Sequence, residues 1–270
     1  MQLTHNFLFL PERAVSVTEI LMASGKSEEE AKKIIETSGF SGLRRSRDGS
    51  LSNFIINGMD RLFQAHSGLL DGIDAIIVVS QSFDERIPSV STRIQATFGF
   101  PKEVFCIDLF DGCAGFIKAI KLISSLEASG HKKFLVLAGD LNSTMTQNAD
   151  LGTSILFGDG ISATVFQVTD TPAQSLLFNS GDLSGTIRCS VANNLMTMDG
   201  FEVFRFARNV VPELISDFFN QTGENLDDFD LIGMHQASKL VVAALSKKIK
   251  LRADFSETFN CGEIGNIGAG

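Results

Sequence analysis

The chain has 270 residues, with 23 basic and 32 acidic side chains, a formal net charge of −9, 44% hydrophobic and 20% charged residues. That is globular composition, which excludes a disordered or fibrous chain, and the acidic balance excludes a general nucleic-acid binder, which would carry a basic excess or stripe. No apolar run reaches the roughly 20 residues of a membrane span, and residues 1–13 lack the basic start and small-residue cleavage site of a secretion signal, so a cytoplasmic protein with no membrane span is expected.

Ser27 followed by Glu30 makes a capping box, and Ala31, Ile34 and Ile35 form an apolar stripe, so residues 27–38 are predicted to be a helix stopped by Gly39. Phe54, Ile55, Met59, Leu62 and Phe63 recur at helical spacing, which predicts a second helix over 51–65. Residues 74–80 (DAIIVVS) read as a strand buried on both faces. A helix is expected over 89–98, a strand over 104–109, a helix over 113–129, and strands over 133–138 and 162–168. This alternation predicts a mostly parallel sheet with helices on its faces.

Residues 169–175 are polar, carry Pro172 and form the expected linker between an N-terminal half, 1–168, and a C-terminal half, 176–270. The second half is predicted to hold a long apolar helix over 199–220, kinked at Pro212, a strand over 230–234 and a helix over 237–249. The similar pattern of the halves suggests an internal duplication. The chain stops at Gly270 inside a Gly-rich turn, which predicts further C-terminal elements.

The cysteines at 106, 113, 189 and 261 form no C-x-x-C pair, and the four histidines form no H-x-x-x-H pair, so neither a disulfide framework nor a metal site is expected. Cys113 lies in DGCAGF, after a predicted strand and at the start of a predicted helix, where the helix dipole and free N–H groups favour thiolate. Gly112, Ala114 and Gly115 would leave room for a substrate. A core-packing cysteine fits the same position. His235 opens a helix at the carboxyl end of the predicted 230–234 strand, where α/β folds place active sites, although a satisfied junction histidine fits as well. Asn266 lies in GNIGAG, where Asn also serves as an ordinary turn residue. No G-x-S-x-G elbow, Walker A or G-x-G-x-x-G pattern occurs.

The ordered set of DGCAGF, LFGDG at 156–160, HQAS at 235–238 and GN at 265–266 resembles β-ketoacyl-ACP synthase III of the thiolase superfamily. Leu10-Pro11-Glu12, Pro88-Ser89 before a helix, and the DGFEVF run at 199–204 agree with it. The resemblance covers about residues 8–270. It implies an α/β thiolase-like fold, two similar βαβαβ halves in α-β-α-β-α layers, here with C-terminal elements missing, as a homodimer. It further implies an acyltransferase that condenses an acyl thioester with malonyl-ACP, giving a 3-oxoacyl-ACP, with no permanently bound cofactor or metal and with coenzyme A or a phosphopantetheine thioester as substrate. Cys113 would match the nucleophile. His235 and Asn266 would match the pair holding the malonyl thioester oxygen, since decarboxylation leaves an enolate that needs two hydrogen-bond donors.

Ser238, which stands where the family more often has Asn, and Lys239 are expected near the pantetheine arm. Lys239, Lys247, Lys248, Lys250 and Arg252 read either as an acyl carrier protein docking patch or as a solvated helix face. Arg44 and Arg45 are expected to meet CoA phosphates or carrier acids, or to cover a loop. The first long helix lacks the tryptophan that often stacks on CoA adenine, which favours a carrier thioester as donor. Ile87 is a candidate for the acyl pocket. A non-condensing acyltransferase and a non-catalytic thiolase-fold partner subunit stay open as alternatives.

Overall fold

The computed structural model describes residues 1–66, 68–171, 173–179, 185–190, 192–252 and 259–270. In chain order the elements are β1 (Gln2–Phe9), β2 (Ala14–Ser16), α1 (Val17–Ala23), α2 (Glu28–Ser38), β3 (Gly42–Arg44), α3 (Leu51–Ala65), β4 (Ala75–Ser80), α4 (Val90–Thr97), β5 (Phe105–Phe110), α5 (Gly115–Glu127), β6 (Lys133–Leu141), α6 (Leu151–Ser154) and β7 (Asp159–Gln167). The remainder contributes β8 (Ile187–Ser190), β9 (Leu195–Met198), α7 (Gly200–Thr222) and α8 (Lys239–Lys248).

The local signals act as expected at several ends. Ser27 accepts from the Glu30 N–H while Glu30 reaches back to the Ser27 N–H, completing the capping box. Gly39 closes α2 in the left-handed region, at φ 86°. At α4 a strand residue adds to the Ser89 cap: Asp108 of β5 accepts from the N–H groups of Val90 and Ser91 at 2.7 and 2.9 Å.

The main sheet has the order β1-β7-β6-β4-β5. β4 pairs in parallel with β5 and β6, whereas β7 runs antiparallel to both β6 and β1. The expected mostly parallel sheet is therefore mixed. The β6–β7 connection holds only a 3₁₀ turn and the four-residue α6, with no helix long enough to carry the chain back along the sheet for a parallel return.

The strand period of two sorts the core into two layers. Ile76 and Val78 of β4, with Leu135 and Leu137 of β6, face Leu51, Ile55 and Met59 of α3 and Ile94 of α4. Ala75, Ile77 and Val79, with Phe134, Val136 and Ala138, face Ala119, Ile123 and Leu126 of α5. All six residues of β4 are buried, as a central strand covered on both faces requires.

Beyond the sheet, β8 and β9 form a hairpin. α7 runs unbroken through Pro212. The predicted strand at 230–234 is not one: these residues are without regular structure and pair with no strand among the described residues. A short apolar run becomes a strand only beside a partner, and none lies there among the described residues. Pro172 of the expected linker lies outside the described residues.

Candidate functional site

The parallel strands β4, β5 and β6 end on the same side of the sheet, and the residues that follow them build the site. Asp111-Gly112-Cys113 leaves β5 directly, and Cys113 precedes Ala114, the residue capping α5 without a side-chain bond. The neighbouring glycines do not make room for a substrate, contrary to expectation. A Cβ on Gly115 would meet Val79 Cγ1 at 2.4 Å, so glycine there lets the first turn of α5 lie against the end of β4. A Cβ on Gly112 would crowd the Gln81 amide at 3.3 Å. Asp111 pairs with Lys118 one helical turn into α5.

The second group comes from the far end of the chain. The 261–268 segment lies across the LFGDG run: the Asn266 N–H donates to the Leu156 carbonyl at 2.8 Å, and the Gly158 N–H donates to the Asn266 carbonyl at 3.0 Å. A Cβ on Gly158 would fall 2.0 Å from the Ile264 carbonyl oxygen, so the crossing requires glycine. Asn142 Nδ2 donates to both the Gly158 and Asn266 carbonyls. The Asn266 side chain is oriented too. Its Oδ1 accepts from the Gly268 N–H at 3.0 Å, and since that partner can only donate, the amide NH₂ is the end left for the cavity.

His235 comes from the irregular 230–238 segment. Gln236 anchors that segment by accepting from the Asn260 N–H at 3.1 Å, and Ser238 caps α8 by accepting from the Val241 N–H.

Cys113, His235, Asn266 and Ser238 all line one cavity of about 810 Å³. Its wall is mostly apolar. Val203, Ala207, Val211, Leu214 and Phe218 of α7 supply one stripe at helical spacing. The long apolar helix was legible in the sequence, but its role as a cavity wall was not.

The electrostatics depart from expectation at the thiol. Burial, joined by the nearby Asp140 and Asp111 carboxylates, pushes Cys113 up to about 11, so the resting group is a thiol and the helix dipole does not prevail. The His235 ring keeps open surface on the cavity but is crowded by its walls, and this desolvation pushes it below the ordinary imidazole value, leaving it neutral at pH 7.

Three other residues lie away from the cavity wall. Arg44 reaches the Glu12 carbonyl at 3.1 Å. Arg45 donates to the Ser154 carbonyl at 2.7 Å and to Asn148 Oδ1, and its charge lies near buried Asp159. Both guanidinium groups thus bind the chain itself. Lys239 opens α8 on the surface, its Cβ packed at Gly39. Lys247, Lys248 and Lys250 are exposed, and Arg252 approaches Asp227 at 3.8 Å.

Sequence reasoning missed Asp140. It lies one residue before the end of β6, fully buried, and its Oδ1 accepts from Ser80 Oγ at 2.7 Å, from the Gln81 N–H at 2.6 Å and from the Ser82 N–H. An acidic residue inside an apolar strand (FLVLAGDL) was the available signal. Among the described residues no cluster of three or more His, Cys, Asp or Glu could hold a metal ion, and no helix is long and apolar enough to cross a membrane.

A family model described as 3-oxoacyl-[acyl-carrier-protein (ACP)] synthase III matches residues 107–181. The β-ketoacyl-[acyl-carrier-protein] synthase III of Acholeplasma laidlawii is 31% identical over 73% of this chain and 64% of its own length. The corresponding protein of Streptococcus gordonii is 28% identical over 97% of this chain and 84% of its own. The crystal structure of the Thermus thermophilus β-ketoacyl-ACP synthase III has a TM-score of 0.85 at 25% identity, covering 99% of this chain and 86% of that one. The fold is thus the thiolase-like α/β fold of these proteins.

Proposed function

We propose that this chain, which is similar to 3-oxoacyl-[acyl-carrier-protein] synthase III proteins, is a member of that family and an acyltransferase condensing an acyl thioester with malonyl-ACP. What carries this reading is the meeting of Cys113, His235 and Asn266 on the wall of one cavity. In the first step the Cys113 sulfur attacks the acyl thioester carbonyl, the new S–C bond forms, and the donor thiol leaves with the proton that Cys113 gives up. Thioester exchange between two sulfurs is nearly isoenergetic, so a cysteine suits the step. Neutral His235 is the group on the same wall able to relay that proton.

In the second step the malonyl carboxylate leaves as CO₂ and its bonding electrons form an enolate. The His235 N–H and the Asn266 amide NH₂ hold the enolate oxygen. Each such donor is worth about 3 kcal/mol. The enolate carbon attacks the acyl-Cys113 carbonyl, a C–C bond forms, and Cys113 departs and is reprotonated. The reaction consumes acyl and malonyl thioesters and uses no permanently bound cofactor.

In this reading the acyl donor is coenzyme A or a carrier thioester, and the acidic acyl carrier protein meets the exposed lysines of α8. The protein acts in the cytoplasm as a homodimer. β5 supports the dimer reading as a sheet-edge strand that ends on exposed Phe110, and Ile87 is exposed as well.

Intact mass spectrometry with a panel of acyl-CoAs and acyl carrier thioesters tests the reading, with Cys113→Ala alongside. An acyl mass on the wild type and none on the variant is expected. A folded protein that no donor acylates would overturn it.

A further inference from the structure

The cavity that holds Cys113, His235 and Asn266 is far larger than those three groups need. Its volume of about 810 Å³ lies in the range of about 300–1,000 Å³ that encloses a drug-sized ligand. An acetyl group would leave most of it empty. Its chemistry is one-sided as well. None of its described lining residues is an Asp, Glu, Lys or Arg, and His235 is neutral.

The sulfur stands at the head of an apolar stripe. Ile117 and Ile120 of α5 follow Cys113 at the spacing of one and two helical turns, and all three line the cavity. Ile117 is half-exposed, its side chain open to that space. The α7 wall has the same character: none of its 23 residues is buried, although Val203, Ala207, Val211 and Leu214 turn an apolar face to the cavity. What covers such a face favourably is itself apolar.

The stripe also sets a length. The seven positions from Cys113 to Ile120 span about 10 Å at a helical rise of about 1.5 Å. An extended alkyl chain advances about 1.25 Å per carbon, so about eight carbons reach Ile120.

We propose that the acyl group taken onto Cys113 is an uncharged chain of about eight carbons or more, lying along Ile117 and Ile120 of α5 and the Val203–Ala207–Val211 stripe of α7. This inference rests on Cys113 being the acyl acceptor and names the donor class of that site. The thioester carbonyl stays with the polar groups, Cys113, His235 and Asn266, and the chain runs away from them over the apolar wall. A carboxylate at the far end of the acyl group would leave water and meet no cation there. Ala207 is smaller than Val203 and Val211 on either side of it, which opens the middle of the wall for the chain.

The test is single-turnover acylation of Cys113 by acetyl, butyryl, hexanoyl, octanoyl and decanoyl thioesters, presented both as acyl-CoAs and on acyl carrier protein. Donors are kept below saturation and below micelle formation, and the product is read by intact mass. The rate should rise about fourfold with each added methylene up to octanoyl, the ratio that about 0.8 kcal/mol per buried CH₂ gives. Succinyl thioesters should react more slowly than butyryl ones. Rates that stay flat or fall beyond butyryl, as they would if a polypeptide segment covered the α7 face, would overturn the proposal. Succinyl outrunning butyryl would do the same.

Two variants locate the chain. Ala207→Phe fills the middle of the stripe and should lower the octanoyl-to-butyryl rate ratio about tenfold or more. Arg208→Phe adds the same bulk at the next residue, an exposed position off the cavity wall, and should keep the wild-type ratio. Equal ratios in all three proteins, or an equal drop in both variants, would overturn the placement along α7. The wild-type series decides the chain length whether or not Ala207→Phe folds. Acylation with a flat length profile removes this inference alone, whereas acylation by no donor overturns the synthase reading and this inference with it.

Discussion

Asn266 is bonded through its backbone to both sides of Phe157: its N–H donates to the Leu156 carbonyl and its carbonyl accepts from the Gly158 N–H. One turn of the second half is thereby written into the end of the first, and the amide that faces the cavity inherits its position from residues more than a hundred positions away.

That junction has no room to spare at Gly158. Gly158→Ala places a methyl 2.0 Å from the Ile264 carbonyl oxygen. Overpacking of this kind costs about 1–3 kcal/mol. Urea unfolding should show that loss, and malonyl decarboxylation should fall with it because Asn266 is displaced. Wild-type stability and decarboxylation in the variant would refute the close crossing.

The two proposed enolate donors should separate from the proposed nucleophile in kinetic assays. His235→Ala and Asn266→Ala should each still accept an acyl group on Cys113. Each should slow malonyl decarboxylation by about 10²–10³-fold, the usual loss for one such donor. Single-turnover acylation and CO₂ release measure the two steps separately. If either variant condensed at the normal rate, its assignment would be wrong.

His235 also ties stability to pH. Its folded value is lowered by desolvation, so the unfolded chain binds the extra proton first as pH falls. The neutral ring's contribution is whole above the ordinary imidazole value of about 6.5 and is lost as pH drops through the window beneath it. Relative to His235→Gln, which cannot titrate, the wild type should lose melting temperature between pH 6.5 and 5. Parallel curves for the two proteins would contradict the lowered value.

A control lies far from the site. Ser27→Ala removes the side-chain half of the capping box on α2. The expected cost is about 1 kcal/mol, or about 2–4 °C in Tm for a domain of this size. Acylation of Cys113 should be unchanged, and a Tm equal to the wild type's would show that the cap contributes nothing.

The elements most legible in the sequence were those whose own residues decide them. The α3 stripe from Leu51 to Ala65 and the wholly buried β4 needed no knowledge of the rest of the chain. β1 went unread because its apolar residues do not alternate, its outer positions are exposed, and its pairing with β7 slips between Leu3 and His5. The 230–234 run looked like β4 in miniature, yet composition cannot supply a neighbouring strand. The ordered motifs brought Cys113, His235 and Asn266 to notice, and all three line the cavity. Arg44 and Arg45 were misleading because a guanidinium in a polar loop looks the same whether it awaits a phosphate or already binds carbonyl oxygens. Asp140 could be noticed as an acid in an apolar strand, but the groups that surround its carboxylate come from separate strands and turns and could not be read from the sequence.

The Asn142 bond to the Asn266 carbonyl closes a loop of 124 residues, whereas the sheet of β4, β5 and β6 forms from neighbours along the chain. Loop-closure entropy delays long-range contacts relative to local ones. The chain is therefore expected to acquire its scaffold before its site: Cys113, the proposed nucleophile, would be in place on a folded sheet while Asn266 is still arriving. Refolding followed by far-UV signal should run ahead of refolding followed by recovery of activity, and substitutions at the 156–158 crossing should widen that gap.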